Sequence, residues 1–444
     1  MTAILQTRRD HWIVLAAALL ARAVVPIIAI VSHGVDYLLL TDDSHEYLRL
    51  AESLTAGSFS RDGEPELLRT PGYPLLVALG VLAGAPIGLT IAIQTALGGV
   101  AAVVVYALAR QAGGSLGCRD TRPVALAAGL IYALDPLSVV HSGFVLSETL
   151  FTTLMVAHLF VLSKYFETGQ TRYVAPSAVL AAASAFVRPV ALYWPLVVVA
   201  ILLSIPASQQ TRRLPARLAP AVVFLALTLT PVLVWTARNA SETGYSRFSA
   251  AGDYGLYVSL GGAIEGLHRN ETRQRVELLA ERNGWTTAER YDYMRREGVR
   301  TILNRPAHYI AVHGRAILQS LTPAFSMYVE IYLPDYGSAN TWTRLFGSAA
   351  IHPRDYLPAL PMYLLVGLAC ATQYLLALFG VRHAFVARSG TTVLVLVSAA
   401  YFLFMAGAVG DIATARMRHP AMPAICVLAG LGASAVIDRY WQRR

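Results

Sequence analysis

WIVLAAALLARAVVPIIAIV, residues 12–31, is followed soon after by Thr41-Asp42-Asp43-Ser44-His45-Glu46-Tyr47. An apolar run of about 20 residues is what a helix needs to cross the hydrocarbon core of a bilayer. The run is too long for the apolar part of a signal peptide and carries no small-residue cleavage pattern, so it reads as a retained first span. The acidic heptapeptide then lies in the first segment beyond the membrane. Its two adjacent carboxylates stand at a lipid–water boundary, where ionisable groups are often functional.

The rest of the chain agrees with that opening. Of 444 residues 55% are hydrophobic and 14% charged, with mean hydropathy +0.50. Soluble domains carry about 25% charged residues, and disordered chains combine low hydropathy with high charge. Both classes are excluded, and an all-α polytopic membrane protein is left. The net charge of +9 does not point to nucleic acid, because the cations, all arginine except Lys164, collect in short loops between apolar runs. Cys118, Cys370 and Cys426 are far apart and form neither a disulfide framework nor a metal motif.

Helices are expected at about 12–32, 88–110, 123–142, 146–163, 174–187, 190–206, 218–237, 357–379, 391–409 and 420–437. With the N-terminus inside, every inner loop is basic: Arg110, Arg119 and Arg122; Lys164 and Arg172; Arg212, Arg213 and Arg217; Arg382 and Arg388; Arg439, Arg443 and Arg444. That is the pattern of cytoplasmic loops. Segments 33–87 and 238–356 then fall outside. They divide the chain into a membrane module over 1–237 containing the first outer loop, a long outer loop over 238–356, and terminal spans over 357–444. Pro71–Ala85 is apolar, but making it a span would invert every later loop, so it is expected to lie in the interface.

Leu50, Ala51 and Leu54 repeat with helical spacing, so a short helix begins near Asp43. Asp43 with Glu46 three residues on can be a capping box. A carboxylate at a helix start can equally aim an oxygen into a cavity, and of the pair Asp43 is favoured over Asp42. In Leu68-Arg69-Thr70-Pro71-Gly72-Tyr73-Pro74 the prolines and glycine set a sharp helix entry. Arg69 is held beside it, suited either to a lipid headgroup or to a substrate phosphate. Glu148 follows Ser147 at a helix start, where its charge can serve the helix or a site. Arg188, between two shortened apolar runs, needs a partner: phosphate, Glu148 or a carbonyl. Arg416 and Arg418 break the positive-inside pattern at an outer span end.

Asp43 four residues before Tyr47, the LAxxLxxG run Leu50–Gly57, and Arg69–Pro74 together resemble the GT-C membrane glycosyltransferases. The nearest group is the superfamily of the protein O-mannosyltransferases and the lipid A aminoarabinose transferase. Leu146–Phe151 resembles the acidic start of its fourth span, Phe186–Pro189 its "RP", and Arg416–Pro420 its "RxRxP". The resemblance implies a GT-C helical bundle of about ten spans and a polyprenyl-phosphate-linked sugar donor. It also implies a lipid, glycan or protein acceptor outside the membrane. Asp43 corresponds to the catalytic aspartate and Arg69 to a contact with the lipid phosphate. Glu148 falls near a second acidic position of the cavity, while Tyr47, Tyr73, Arg188, Arg416 and Arg418 fall on substrate-binding motifs. The chain departs from some relatives in having Leu68, not an acid, directly before Arg69.

The chemistry needs no nucleotide, cofactor or nucleic acid. On this resemblance Asp43 is expected to act as general base on the acceptor, a step typically worth about 10²–10⁴-fold, while arginines stabilise the departing phosphate. No His/Cys cluster suggests a metal. A bacterial plasma membrane with the site facing the periplasm or exterior fits this reading. The rival is a transporter or flippase of a lipid-linked saccharide, which predicts polar residues within spans and a repeated half. Instead the acidic residues gather at outer span ends. Tyr193, Trp194, Trp235 and Tyr401 read as belt or packing residues. Trp285, Tyr328, Tyr332, Tyr336 and Trp342 could stack on sugar.

Overall fold

The computed structural model describes residues 2–207, 213–324, 328, 331, 360–387, 389–410 and 413–442, and nearly all of them are helical. Helix α1 (Thr2–His33) leads to α2 (Asp42–Thr55), a two-residue hairpin of β1 (Ser60–Arg61) and β2 (Glu64–Pro65), and α3 (Gly72–Leu82). Then come α4 (Pro86–Ser115), α5 (Arg122–Ala133), α6 (Pro136–Ser142), α7 (Glu148–Thr168), α8 (Val174–Val187), α9 (Trp194–Ser204) and α10 (Leu214–Thr243). The second outer segment folds as α11 (Ala251–Tyr254), a π-helical turn over Gly255–Gly261, α12 (Gly262–Glu265), α13 (Arg269–Asn283), α14 (Thr287–Asn304) and α15 (Pro306–Ser320). Last come α16 (Leu360–Ala387), α17 (Gly390–Gly407) and α18 (Met422–Gln442).

A helix therefore stands at each of the ten expected places, so the fold is an all-α polytopic bundle. Among the described residues six helices (α1, α4, α7, α10, α16 and α17) are long and apolar enough to cross a bilayer alone, or seven spans if α5 and α6 count as one bent by 48°. That bend has a local cause. Pro136 cannot continue the hydrogen-bond ladder, and Asp135 caps the new helix by accepting from the Ser138 N–H at 2.8 Å. Helices α8 and α9 have 14 and 11 residues, short of a ~30 Å core at ~1.5 Å per residue. Arg188-Pro189 divides them, with Arg188 in extended backbone.

Large apolar side chains point outward along α1 (Trp12, Leu20, Val31), α10 (Val222, Leu233, Val234) and α16 (Leu365, Leu368, Leu378). This is the surface a lipid solvent selects. Inside, small residues let helices touch. A Cβ on Gly380 would sit 1.8 Å from the Leu428 carbonyl oxygen, so α16 and α18 cross in backbone contact, the usual use of small residues where lipid supplies no hydrophobic drive.

Helix α3, with 11 residues, is about 17 Å long and packs on α2, α4 and α8. That is short of a bilayer crossing, in keeping with the expected interfacial position. Helix α10 runs unbroken to Thr243 and stops at Gly244 with φ 74°, so the division expected at 237 falls inside one helix. Nor is the second outer segment separate from the first. Leu67 shares a small core with Tyr245, Tyr257, Val276, Tyr291 and Met294, Ala250 N–H donates to the Leu67 carbonyl at 2.8 Å, and Thr287 donates to Glu64 at 2.9 Å. The two segments form one packed end of the bundle.

Candidate functional site

Five stretches of chain converge at that end. The first is α2. Its N-cap is Thr41, whose hydroxyl accepts from the Ser44 N–H; the capping box of Asp43 with Glu46 is not formed. Asp43 and Glu46 sit three residues apart in the first turns, on one face of the helix. Asp42 is exposed and, among the described residues, makes no ion pair.

The second stretch carries Arg69. In place of the acid missing at Leu68, the buried Glu66 accepts from the N–H groups of Leu68 and Arg69 at 2.6 and 2.8 Å, which fixes the turn. Arg69 pairs with Asp43 and also binds Glu46, its Nε and Nη2 lying 2.9 and 2.8 Å from one carboxylate oxygen. Its guanidinium lies 5.3 Å over the Tyr47 ring.

The third and fourth stretches are the two helix boundaries that carry Glu148 and Arg188. Glu148 opens α7 and is fully buried. Arg188 and Arg416 meet on the same Glu148 oxygen, and Arg188 also donates to Ser147 at 3.3 Å. Arg416, from the 3₁₀ turn Ala415–Ala421, closes the cluster by reaching the second oxygen of Asp43 at 2.6 Å. The loop carrying Arg69 reaches Arg188 through Gly72. A Cβ there would lie 2.6 Å from the Phe186 carbonyl oxygen, so only glycine lets this turn rest on the end of α8.

The result is a chain of alternating charge, Glu46–Arg69–Asp43–Arg416–Glu148–Arg188. Its open part is at α2 and the Arg69 turn: the side chains of Asp43, Arg69 and Glu46 are 23%, 25% and 21% exposed, against 0% for Glu148. Burial alone would push the Asp43 carboxyl up, but the Arg416 and Arg69 guanidiniums outweigh it and hold the group below its ordinary value. For Arg69 burial pushes down, yet Tyr47, Asp43 and Glu46 hold it above its ordinary value. Both ions are fixed as ions.

The remaining expected residues fall into two groups. Tyr47 is the wall of the cluster, donating to Ser147 at 3.2 Å and meeting Tyr73 edge-on at 4.6 Å. Tyr73 is buried behind it and donates to Gln94 at 2.5 Å. Gln94 in turn donates to the carbonyls of Ser142 and Phe144, the segment leading to Glu148. Tyr73 thus braces the site without entering it. Arg418 is not in the cluster at all. Two residues beyond Arg416 on a turn of about three residues per revolution, it points elsewhere and donates to the carbonyls of Ser320 and Thr322 at 2.7 and 2.5 Å.

Three features stand outside the candidate site residues read from the sequence. Glu46 joins the cluster, and its i, i+3 spacing from Asp43 was the available signal. Arg22, inside the first apolar run, is buried and donates to the Ala133 carbonyl at 2.8 Å, at the α5–α6 break. His141 is buried with its ring 5.3 Å from that of His419. His141 Nε2, both His419 nitrogens and the second Glu148 oxygen are buried without partners among the described residues. Of the aromatics, Trp194 is buried and donates to His158 at 2.9 Å, while Tyr193 is exposed. Trp285 lies against Tyr293, and Tyr328 donates to the Pro136 carbonyl at 2.7 Å. Tyr332, Tyr336 and Trp342 lie outside the described residues. No group of three metal-ligating side chains is positioned to hold an ion among the described residues.

No family model and no curated sequence matches the chain. Solved structures do. It is similar to the archaeal oligosaccharyltransferase AglB from Archaeoglobus fulgidus in complex with an inhibitory peptide and a dolichol-phosphate, at TM-score 0.51 and 15% identity, over 97% of this chain and 50% of that one. It is similar to an Archaeoglobus fulgidus oligosaccharyltransferase in the apo form at TM-score 0.52 and 14% identity, over 97% and 51%. The chain thus has the GT-C fold and spans about half the length of these proteins.

Proposed function

We propose that the protein is an inverting glycosyltransferase that moves a sugar from a polyprenyl-phosphate-linked donor to a lipid, glycan or protein acceptor. One observation carries this reading: a partly open carboxylate, Asp43, is clamped between Arg69 and Arg416, with Arg188 held beside them through Glu148. A base and three cations at one end of a GT-C bundle are what transfer from a lipid phosphate requires. One of the similar structures holds a dolichol-phosphate, a carrier of the same chemical class. The site is read as facing the periplasm or exterior of a bacterial plasma membrane, an orientation that the basic inner loops support.

In a single displacement the acceptor oxygen or nitrogen bonds to the sugar C1 as the C1–O bond to phosphate breaks. The electron pair of that bond leaves with the phosphate, which the guanidiniums receive. Asp43 takes the acceptor proton. Its two oxygens are both occupied by arginines, so a phosphate that draws Arg69 or Arg416 toward itself frees the lone pair. Donor binding therefore precedes base action. Glu148 is sealed and acts by holding Arg188 and Arg416 side by side; it is a positioning residue.

Detergent-purified protein is given synthetic polyprenyl-phospho-sugars and a panel of acceptors. Free polyprenyl phosphate is released with the right pair, and Asp43→Asn, still folded, stops it. Unchanged turnover in Asp43→Asn overturns the base assignment. Donor-independent movement of lipid-linked saccharide across liposomes would replace this reading with a transporter.

A further inference from the structure

We infer that Glu46 is a built-in occupant of the anion-binding edge of Arg69, displaced when the phosphate of a lipid-linked substrate docks. The inference rests on the proposed reading for the nature of that phosphate. Its structural basis is threefold.

The first part is geometric. Arginine grips carboxylate and phosphate through its planar fork. On Arg69 the Nε and Nη2 of one edge both converge on a Glu46 oxygen, at 2.9 and 2.8 Å. That edge is where a bidentate phosphate would sit. The second is charge. Arg69, Arg188 and Arg416 face the carboxylates of Asp43 and Glu148, three cations against two anions. Glu46 cancels the one charge left over, the charge an incoming anion would use.

The third is redundancy. When Glu46 leaves, Arg69 keeps Asp43, and Arg61, its other partner at 3.4 Å, keeps Glu66 at 3.2 Å. No cation is orphaned. The Glu46 side chain, 21% exposed, can rehydrate as it swings out. Glu148 has no such route, being fully buried beneath two arginines, and Asp43 is gripped at both oxygens. Of the three carboxylates, only Glu46 can exchange with a ligand at little cost. It also sets a threshold: a docking group must outcompete a carboxylate for the fork, which a phosphate can do and an uncharged sugar cannot.

The test measures affinity for farnesyl phosphate, with farnesol as the uncharged control, by calorimetry on the full chain in detergent. Wild type, Glu46→Gln and Glu46→Asp are compared. Glu46→Gln is expected to bind farnesyl phosphate about 5- to 30-fold tighter, the span of one to two kcal/mol, and to bind farnesol as wild type does. Glu46→Asp, its carboxylate drawn back by one methylene, falls between, and it carries the test if Glu46→Gln does not fold. Equal or weaker phosphate binding in a folded Glu46→Gln overturns the inference and leaves the glycosyltransferase reading standing. Phosphate binding by Glu46→Gln where wild type shows none supports the inference. If neither protein prefers farnesyl phosphate to farnesol, both the inference and the reading fall.

Discussion

Two sets of arginines in this molecule have the same side chain and opposite uses. Arg69, Arg188 and Arg416 face carboxylates at an end of the bundle where the side chains are 25%, 18% and 19% exposed. Arg22 and Arg418 are sealed inside and face backbone carbonyls, those of Tyr132 and Ala133 for one and of Ser320 and Thr322 for the other. A carbonyl at a helix end cannot move away and has no other donor, so the guanidinium that serves it is a fixed part of the fold. A carboxylate at the wet mouth, as Glu46 is on Arg69, can be exchanged for another anion. The partner, not the arginine, decides the role.

Removing Arg416 breaks or sharpens this contrast most directly. Asp43 retains Arg69 and Glu148 retains Arg188, so Arg416→Met is expected to keep its thermal midpoint near wild type. Its turnover falls about 10²- to 10³-fold, the loss typical for one transition-state donor. A variant that unfolds while wild-type turnover survives in the folded remainder would place Arg416 with the interior set.

The converse is expected of Arg22→Met. The orphaned carbonyls at the α5–α6 break should cost about 1–3 kcal/mol each, read as a lower thermal midpoint in detergent. Affinity of the folded fraction for an isoprenyl phosphate stays unchanged. A large loss of that affinity with no loss of stability would erase the distinction.

The smallest effect is a pH dependence. Asp43 titrates below its ordinary value of 3.8 when folded, so its ion pairs add stability above that pH and lose it as pH falls through the lower folded value. The stability gap between wild type and Asp43→Asn, about 1 kcal/mol for a partly exposed pair, should begin to close as pH falls below about 5 and vanish only below the lowered folded value. A gap that widens instead would mean Asp43 is destabilising as an ion.

Much of the site was legible because its residues sit in short motifs beside helix ends: Asp43 and Tyr47, Arg69, Glu148, Arg188, Arg416. Composition and motif order could mark them as candidates. They could not show that Arg188 and Arg416 share one Glu148 oxygen, or that Tyr73 braces through Gln94 instead of lining the site. The capping assignment slipped by two residues because Thr41 and Asp43 are both good N-caps, and only the backbone geometry chooses. That slip hid Glu46, which looked fully employed as the partner in a capping box. In the sequence, adjacency groups Arg418 with Arg416, although a tight turn sends them different ways.

By itself the sequence determined where the helices run and which end gathers the acids, because lipid admits only backbone that bonds to itself and long apolar runs follow from that rule. Which charges touch was decided by tertiary structure alone. The cluster joins Asp43 to Arg69, 26 residues apart, and Glu148 to Arg416, 268 residues apart, and ångström differences in approach, such as Gly72 against the end of α8, determine whether a guanidinium meets a carboxylate or a carbonyl.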